Sequence, residues 1–467
     1  MDQSLWDVVS AHRGRESTAV QFSTSEHSFA ELFRDADRYT LPPGETLLLV
    51  GEFSYGLLVA MLACIRCGKS FSCVDTAAYL KYGTRLCFDT CVYSSELGSE
   101  MSNGLGRSLT SEHGLSHAWP VNMSDSQPLE ANIGFLTSGS TGMPKLVLQR
   151  HAAVCRFAVE SVVRFGFDND TRLLMVSSLM WDLMVIELLA VLVAGGTCIV
   201  LERKTVVNPL VFGELITNFR INTLQVAPSF LDMIVFFGGI RSTFPTVRTV
   251  ILTGEPVYSR PHFRVHFPAA RLISAYGSCE LHNVFSCDVT ADIGRAHVPL
   301  GAQWNAVRSL EKIPVTADCF QYDIDTSTLA IGTAAAGIVT RFASPYRPED
   351  MFRHEKGVIH YAGRMTVDLS KEAAITLYTF RNALNTLVFS SRTVAFLDAL
   401  VVHGRIITVA SSADDKAIVD DALRQISRTS SCLDIRTDAV IVRAIPRNLH
   451  GKVDTPRLRL ILEGVKA

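Results

Sequence analysis

The densest group of chemistry-bearing residues in this chain is Phe135-Leu-Thr-Ser-Gly-Ser-Thr-Gly-Met-Pro-Lys145, with four hydroxyls, two glycines and a lysine within eleven residues. Gly139 and Gly142 let backbone N–H groups approach a polyphosphate, Thr137, Ser138, Ser140 and Thr141 can donate hydrogen bonds, and Lys145 adds a point charge. The order is not that of the GxxxxGK[ST] nucleotide loop, because Lys145 follows Met143 and Pro144. Other candidates stand further along: Asp182 in an apolar stretch, Glu280 after Tyr276-Gly277-Ser278-Cys279, then Asp350, Arg364 and Lys452. Taken singly, Glu280 reads as an acid at a helix N-terminus, Lys452 as a solvated turn residue and Asp350 as a surface acid. His151 and His282 read as structural residues.

These groups need a scaffold, and the apolar runs supply one. Residues 46–52, 70–74, 197–201, 223–226, 247–252 and 272–274 read as short buried strands, separated by helical stretches such as Leu57–Cys67. That alternation is the pattern of α/β sheets covered on both faces. Leu179–Val193 reads as one helix with a broad apolar face, stopped by Gly195-Gly196, and it carries Asp182. The last hundred residues differ, with strand-like Val401–Ser411 and Ala439–Ala444 around a helix at about Asp414–Thr429. A boundary at Gly363-Arg364 therefore divides a large domain, 1–364, from a small α+β domain, 365–467.

Composition bounds the function class. The 467 residues are 48% hydrophobic and 19% charged, enough for two or three cored domains. Forty-four basic against 46 acidic side chains leave a formal charge of −2, without the basic excess that a nucleic-acid backbone demands. Eleven dispersed cysteines fit reduced thiols in the cytoplasm, and Cys64-x-x-Cys67 lacks the second pair of a zinc set. The start, MDQSLWDVVSAHRGRE, has no basic region followed by an apolar one, so no secretory signal is expected. Two long apolar runs carry Glu52 and Asp182 with Glu187, and acids mid-membrane cost about 2.5–3.5 kcal/mol each, so no membrane span is expected.

LTSGSTGMPK resembles the phosphate loop of the adenylate-forming superfamily, which contains acyl-CoA synthetases, luciferases and the adenylation domains of nonribosomal peptide synthetases. Five further segments follow in that family's order: Ser177–Glu187, Val250–Glu255, Ala275–Glu280, Tyr346–Asp350 with Tyr361–Arg364, and Pro446–Lys452. The resemblance implies a large domain of α/β subdomains and a small mobile α+β lid. It implies ATP and Mg²⁺ as cofactors, with the phosphate loop and Lys145 on the β- and γ-phosphates. Glu280 would hold the metal through a hard oxygen, as Mg²⁺ prefers. Lys452 would bridge the substrate carboxylate and the α-phosphate, where two anions meet and positive charge is most needed. Tyr276 would stack on adenine beside Gly277 and Cys279, Asp350 would accept from the ribose with Arg364 nearby, and Gly301 and Asn305 would lie close to the nucleotide.

By the same resemblance Asp182 meets a substrate ammonium, and such a partner would offset the cost of a carboxylate in apolar surroundings. The side-chain pocket would comprise Leu183, Ile186, Gln225, Ile251, Thr253, Gly254, Ala275, Asn283 and Val284, walls that suit a neutral, small-to-medium side chain. The sequence departs from the family's pattern at Leu146, where a glycine is usual, and at Cys279, where a threonine is. It departs again over Met365–Thr379, which lacks the glycine and arginines of the usual hinge segment. Adenylation is thus better supported than the second half-reaction. The expected protein is a discrete amino-acid adenylating enzyme of secondary-metabolite biosynthesis. It would serve a separate carrier protein, and a small activating partner is left open. The alternatives are amide formation from the adenylate, an acyl-CoA or aryl-acid ligase, and a non-catalytic nucleotide-binding module.

Overall fold

Leu47, Leu48, Leu49 and Val50 are all buried, so no face of this short run meets water, and it forms the parallel strand Thr46–Val50. The structure is a computed structural model. It describes residues 3–464 except 83–87, 95–108, 111–114, 119–130, 138–144, 238–242, 296–297, 306, 308–309, 316–318, 325–329, 336–337, 342–345, 356, 365–376, 379, 382–397, 403–404, 411–419, 421–423, 425–436 and 442–454.

Two mixed sheets dominate. In the first, strands Thr18–Gln21, Thr197–Ile199, Arg172–Leu174, Thr223–Val226, Thr249–Thr253 and Arg271–Ser278 run parallel in that spatial order. Arg271–Ser278 then turns back into antiparallel His282–Asp288. In the second, Asn132–Thr137, Ser70–Val74, Thr46–Val50 and Thr90–Ser94 are parallel. Lys145–Arg150 closes a hairpin on Asn132–Thr137 with Thr137 opposite Lys145, so residues 138–144 are its connection. A four-stranded antiparallel sheet includes the hairpin Asp350–Glu355 and Val358–Arg364, and a three-stranded sheet is built from Asp398–Val402, Arg405–Ala410 and Thr437–Ile441.

Helix Tyr55–Arg66 starts where the Ser54 hydroxyl accepts from the Leu57 N–H and is buried from Gly56 to Ile65, as a helix between layers must be. Among the described residues no helix is long and apolar enough to cross a membrane.

Three local expectations change. Residues 179–193 are not one helix: Met184, Val185 and Ile186 bond three residues back in tight turns, a wide π turn follows at Val185–Ala190, and α-helix occupies Val191–Ala194. Asp182 therefore lies in the turn before the helix. The cause is Glu187, whose carboxylate folds back to accept from the Val176 and Ser177 N–H groups and the Ser177 hydroxyl, holding the preceding segment out of the helix. Val401–Ser411 is not one strand, because Val402 pairs with Arg405 and the run folds back on itself. Residues 272–274 belong to a longer strand, Arg271–Ser278, extended by its pairing with His282–Asp288. The expected helix at 414–429 falls outside the described residues apart from Asp420 and Arg424, and the segment 365–376 falls outside them entirely.

Candidate active site

Gly277 makes the turn at the end of the parallel sheet possible. A Cβ there would sit 1.8 Å from the His282 carbonyl oxygen, so only glycine lets the two antiparallel arms approach so closely. The register slips between Tyr276 and Gly277, which re-aims the tyrosine.

The Tyr276 hydroxyl donates to Asp350 Oδ2 at 2.5 Å, and the Tyr361 hydroxyl donates to Oδ1 at 3.0 Å. Asp350 is buried, and Arg364 Nε lies 3.9 Å from its Oδ1 and 3.3 Å from Glu349. Burial first, then the Asp350 charge, pushes both phenols well above their ordinary pKa, so they remain donors. The Asp350 carboxylate holds the Arg364 guanidinium above its ordinary value. Tyr276, Asp350, Tyr361 and Arg364 line an open cleft with Gly254, Ala275 and Gly277. Gly254 takes a φ of +80°, and the adjacent Glu255 accepts from the Ser229 N–H and hydroxyl at the start of helix Pro228–Phe237.

A second group gathers around Asp182. The Cys279 thiol lies beside Asp182. Burial, then the charges of Asp182 and Glu280, raise that thiol well above its usual range, so it stays protonated. His282 Nδ1 lies 3.9 Å from Asp182 Oδ2. The Leu136 N–H donates to the Met180 carbonyl at 2.8 Å, tying the strand that enters the Ser/Thr/Gly connection to the turn that carries Asp182. Glu280 follows Cys279 in the same half-buried turn.

The expected pocket positions follow strand parity. Gln225 registers with Ile251, and Thr253 with Ala275. Ile251, Ala275, Ile186 and Val284 share one apolar cluster, whereas Leu224, Val250, Leu252 and Leu272 pack in another across the sheet. Gln225, Thr253 and Asn283 are buried. Neither polar atom of the Gln225 amide has a hydrogen-bond partner among the described residues. Leu183 is half-buried in the turn after Asp182. Ser138, Gly139, Ser140, Thr141, Gly142 and Lys452 lie outside the described residues, and of Thr137 and Lys145 the backbone pairing is described.

A family model described as "AMP-binding enzyme" matches residues 104–314, which run from before the Ser/Thr/Gly connection past the Glu280 turn. Over that stretch, a little under half of its length, the chain is similar to the AMP-binding enzymes. Among curated relatives, the nonribosomal peptide synthetase phqB of Penicillium fellutanum is 26% identical over 323 residues, covering 62% of this chain and 13% of the relative. The chain thus spans about an eighth of that much longer protein. Among solved adenylate-forming structures, the anthranilate CoA ligase AuaEII in complex with anthranoyl-AMP superposes with a TM-score of 0.75 at 13% identity, over 99% of this chain and 98% of that one. The four-domain nonribosomal peptide synthetase AB3403, bound to AMP and glycine, gives 0.74 at 15% identity, over 98% of this chain and 36% of that one. An adenylate-forming fold of mixed α/β sheets, as the sequence implied, is what these likenesses show.

Four residues take parts in the structure that their sequence context does not reveal. Tyr361 reaches Asp350 across a hairpin, so no spacing in the sequence connects them. Gln149 bonds to the Cys279 carbonyl from the other large sheet. Glu187 was noted as an acid in an apolar run, and its fold-back onto Ser177 gives it a role. His282 stands beside Asp182 because of its backbone conformation, with φ at +53°.

Proposed function

We propose that this chain is an AMP-forming ligase that joins the carboxylate of an amino acid to the α-phosphate of ATP, releasing pyrophosphate. The aminoacyl group then passes to the phosphopantetheine thiol of a separate carrier protein. The observation that carries this reading is the position of Asp182. Its side chain is 19% exposed, stands beside a neutral thiol and an imidazole, and is tied through Met180 to the strand entering the phosphate loop. A carboxylate so placed calls for an ammonium close to the phosphates.

The remaining residues divide the work. Each oxygen of Asp350 accepts one tyrosine hydroxyl and keeps a lone pair for a ribose hydroxyl, while Arg364 keeps positive charge at the rim. The hydroxyls of 137–141 and Lys145 hold the β- and γ-phosphates. Lys452, brought in by a lid of 365–467, bridges the two reacting anions. Mg²⁺ would take one carboxylate, here Glu280, and complete its shell with water and phosphate oxygens. The ion would offset phosphate charge during transfer. The unpartnered Gln225 amide among apolar walls selects a neutral side chain offering both a donor and an acceptor.

ATP–pyrophosphate exchange with the proteinogenic amino acids, and with matched acids lacking the amino group, tests the proposal. Exchange with one amino acid, abolished by Lys452→Ala and by Asp182→Ala, is the expected result. Exchange with acids lacking the amino group, unharmed by Asp182→Ala, would instead make the chain an acyl or aryl ligase. Silence across the panel would leave a nucleotide-binding module.

A further inference from the structure

His282 combines three features that are costly separately. Its φ of +53° lies in the left-handed region that residues with a Cβ seldom occupy. Its ring is 5% exposed and wedged between Phe157, at 4.5 Å between centroids, and Phe135, at 6.0 Å. Its Nε2 is buried with no hydrogen-bond partner among the described residues. Packing alone would place a leucine or phenylalanine here without the orphaned nitrogen.

We infer that His282 is a positioning residue that orients the Asp182 carboxylate toward the substrate ammonium, an inference that rests on the ammonium reading of Asp182. The geometry runs from backbone to carboxylate. The bare Cα of Gly277 admits the His282 carbonyl, the positive φ turns the ring inward, and the two phenylalanines fix its plane. Nδ1 then faces Asp182 Oδ2 across 3.9 Å. Enclosed between two phenyl rings and away from water, the imidazole is held as the neutral ring with one N–H. That proton belongs on Nδ1, where its dipole points at an anion; on Nε2 it would be an unsatisfied donor between two phenyl rings. At 3.9 Å the contact is longer than a hydrogen bond, and such contacts shorten when a substrate closes the site. With Cys279 on one side and His282 on the other, the carboxylate has little freedom left to lose when an ammonium arrives.

The test is pyrophosphate exchange, measured with whichever proteinogenic amino acid exchanges best, on His282→Leu and His282→Asn. Asparagine tolerates positive φ and carries an N–H close to the place of Nδ1, while leucine keeps the bulk without the donor. His282→Leu raises the amino-acid KM by about tenfold, the loss of roughly one hydrogen bond to a charged group, with the ATP KM and kcat within about threefold of wild type. His282→Asn restores the amino-acid KM to within about threefold of wild type. Should His282→Leu not fold, His282→Gly, which relaxes the backbone and removes the ring, carries the same expectation.

An unchanged amino-acid KM, an equal rise in the ATP KM, or an asparagine variant as impaired as the leucine variant would each overturn the inference. Asp182→Asn run alongside keeps the two failures apart. If it leaves exchange intact, or if no amino acid exchanges at all, the ammonium reading itself falls. If it abolishes exchange while His282→Leu changes nothing, only the role of His282 falls.

Discussion

The side-chain amide of Gln149 donates to the backbone carbonyl of Cys279, joining two residues from different sheets. Gln149 lies on the strand that leaves the Ser/Thr/Gly connection, and Cys279 immediately precedes Glu280. On the entering strand, the Leu136 N–H binds the Met180 carbonyl. The hairpin proposed to hold phosphates is thus tied on one side to the proposed metal ligand and on the other to the proposed ammonium ligand.

Cutting the first tie has a defined effect. Gln149→Leu leaves the Cys279 carbonyl without this donor and costs about 1–3 kcal/mol of stability, read by thermal or urea unfolding. Its ATP KM rises several-fold while the amino-acid KM stays near wild type. Equal effects on both constants would show that the tie serves general packing.

On the proposed reading, the two phenols on Asp350 serve the nucleotide side alone. Tyr276→Phe and Tyr361→Phe each remove one hydrogen bond to a buried carboxylate, worth about 1.5–3 kcal/mol, so the ATP KM increases roughly tenfold or more. Nucleotide titration followed by calorimetry checks it directly. Undiminished ATP affinity in both variants would remove Asp350 from the nucleotide site.

Glu187 sets a pH dependence of stability. Burial pushes its carboxyl up to about 8 from 4.5, despite hydrogen bonds from Ser177 and Val176 that favour the anion. Between those values the folded protein holds a proton that the unfolded chain has lost. The stabilisation is therefore complete below 4.5 and declines as pH rises toward 8, by at most about 1.4 kcal/mol per pH unit. Glu187→Gln flattens that slope. Unfolding curves between pH 5 and pH 8 that stay parallel for the two proteins would refute it.

Gly277→Ala drives a methyl group into the His282 carbonyl and separates the two arms of the hairpin. Overpacking of this kind costs about 1–3 kcal/mol, and here exchange activity falls further than stability does, because Tyr276, Cys279 and His282 all shift with the arms. Activity retained in step with stability would argue that the close approach matters only for folding.

The parallel strands were legible because a strand buried on both faces must be a short apolar run, and Leu47–Val50 and Thr249–Thr253 can be little else. The candidate segments were legible through resemblance, since their residues lie in contiguous motifs. What escaped is what long-range pairing decides. Whether Asp182 sits in a helix or before one depends on where the Glu187 carboxyl group finds its donors, ten and eleven residues away in sequence but adjacent in space. Tyr361, Gln149 and His282 acquire their roles from partners 11, 130 and 100 residues distant, counting Asp350, Cys279 and Asp182. The fold of Val401–Ser411 into a hairpin turns on the short 403–404 connection, which an apolar run conceals.

The alternation of side chains along the central strands separates two kinds of change. Gln225, Ile251 and Ala275 face one cluster while Leu224, Val250, Leu252 and Leu272 face the other, so neighbours in sequence answer to different demands. On the proposed reading, replacing the odd-numbered set alters what the pocket admits, while replacing the even-numbered set softens or stiffens the scaffold on the opposite side of the sheet. One layer of such a sheet can change its choice of substrate while the other keeps the fold.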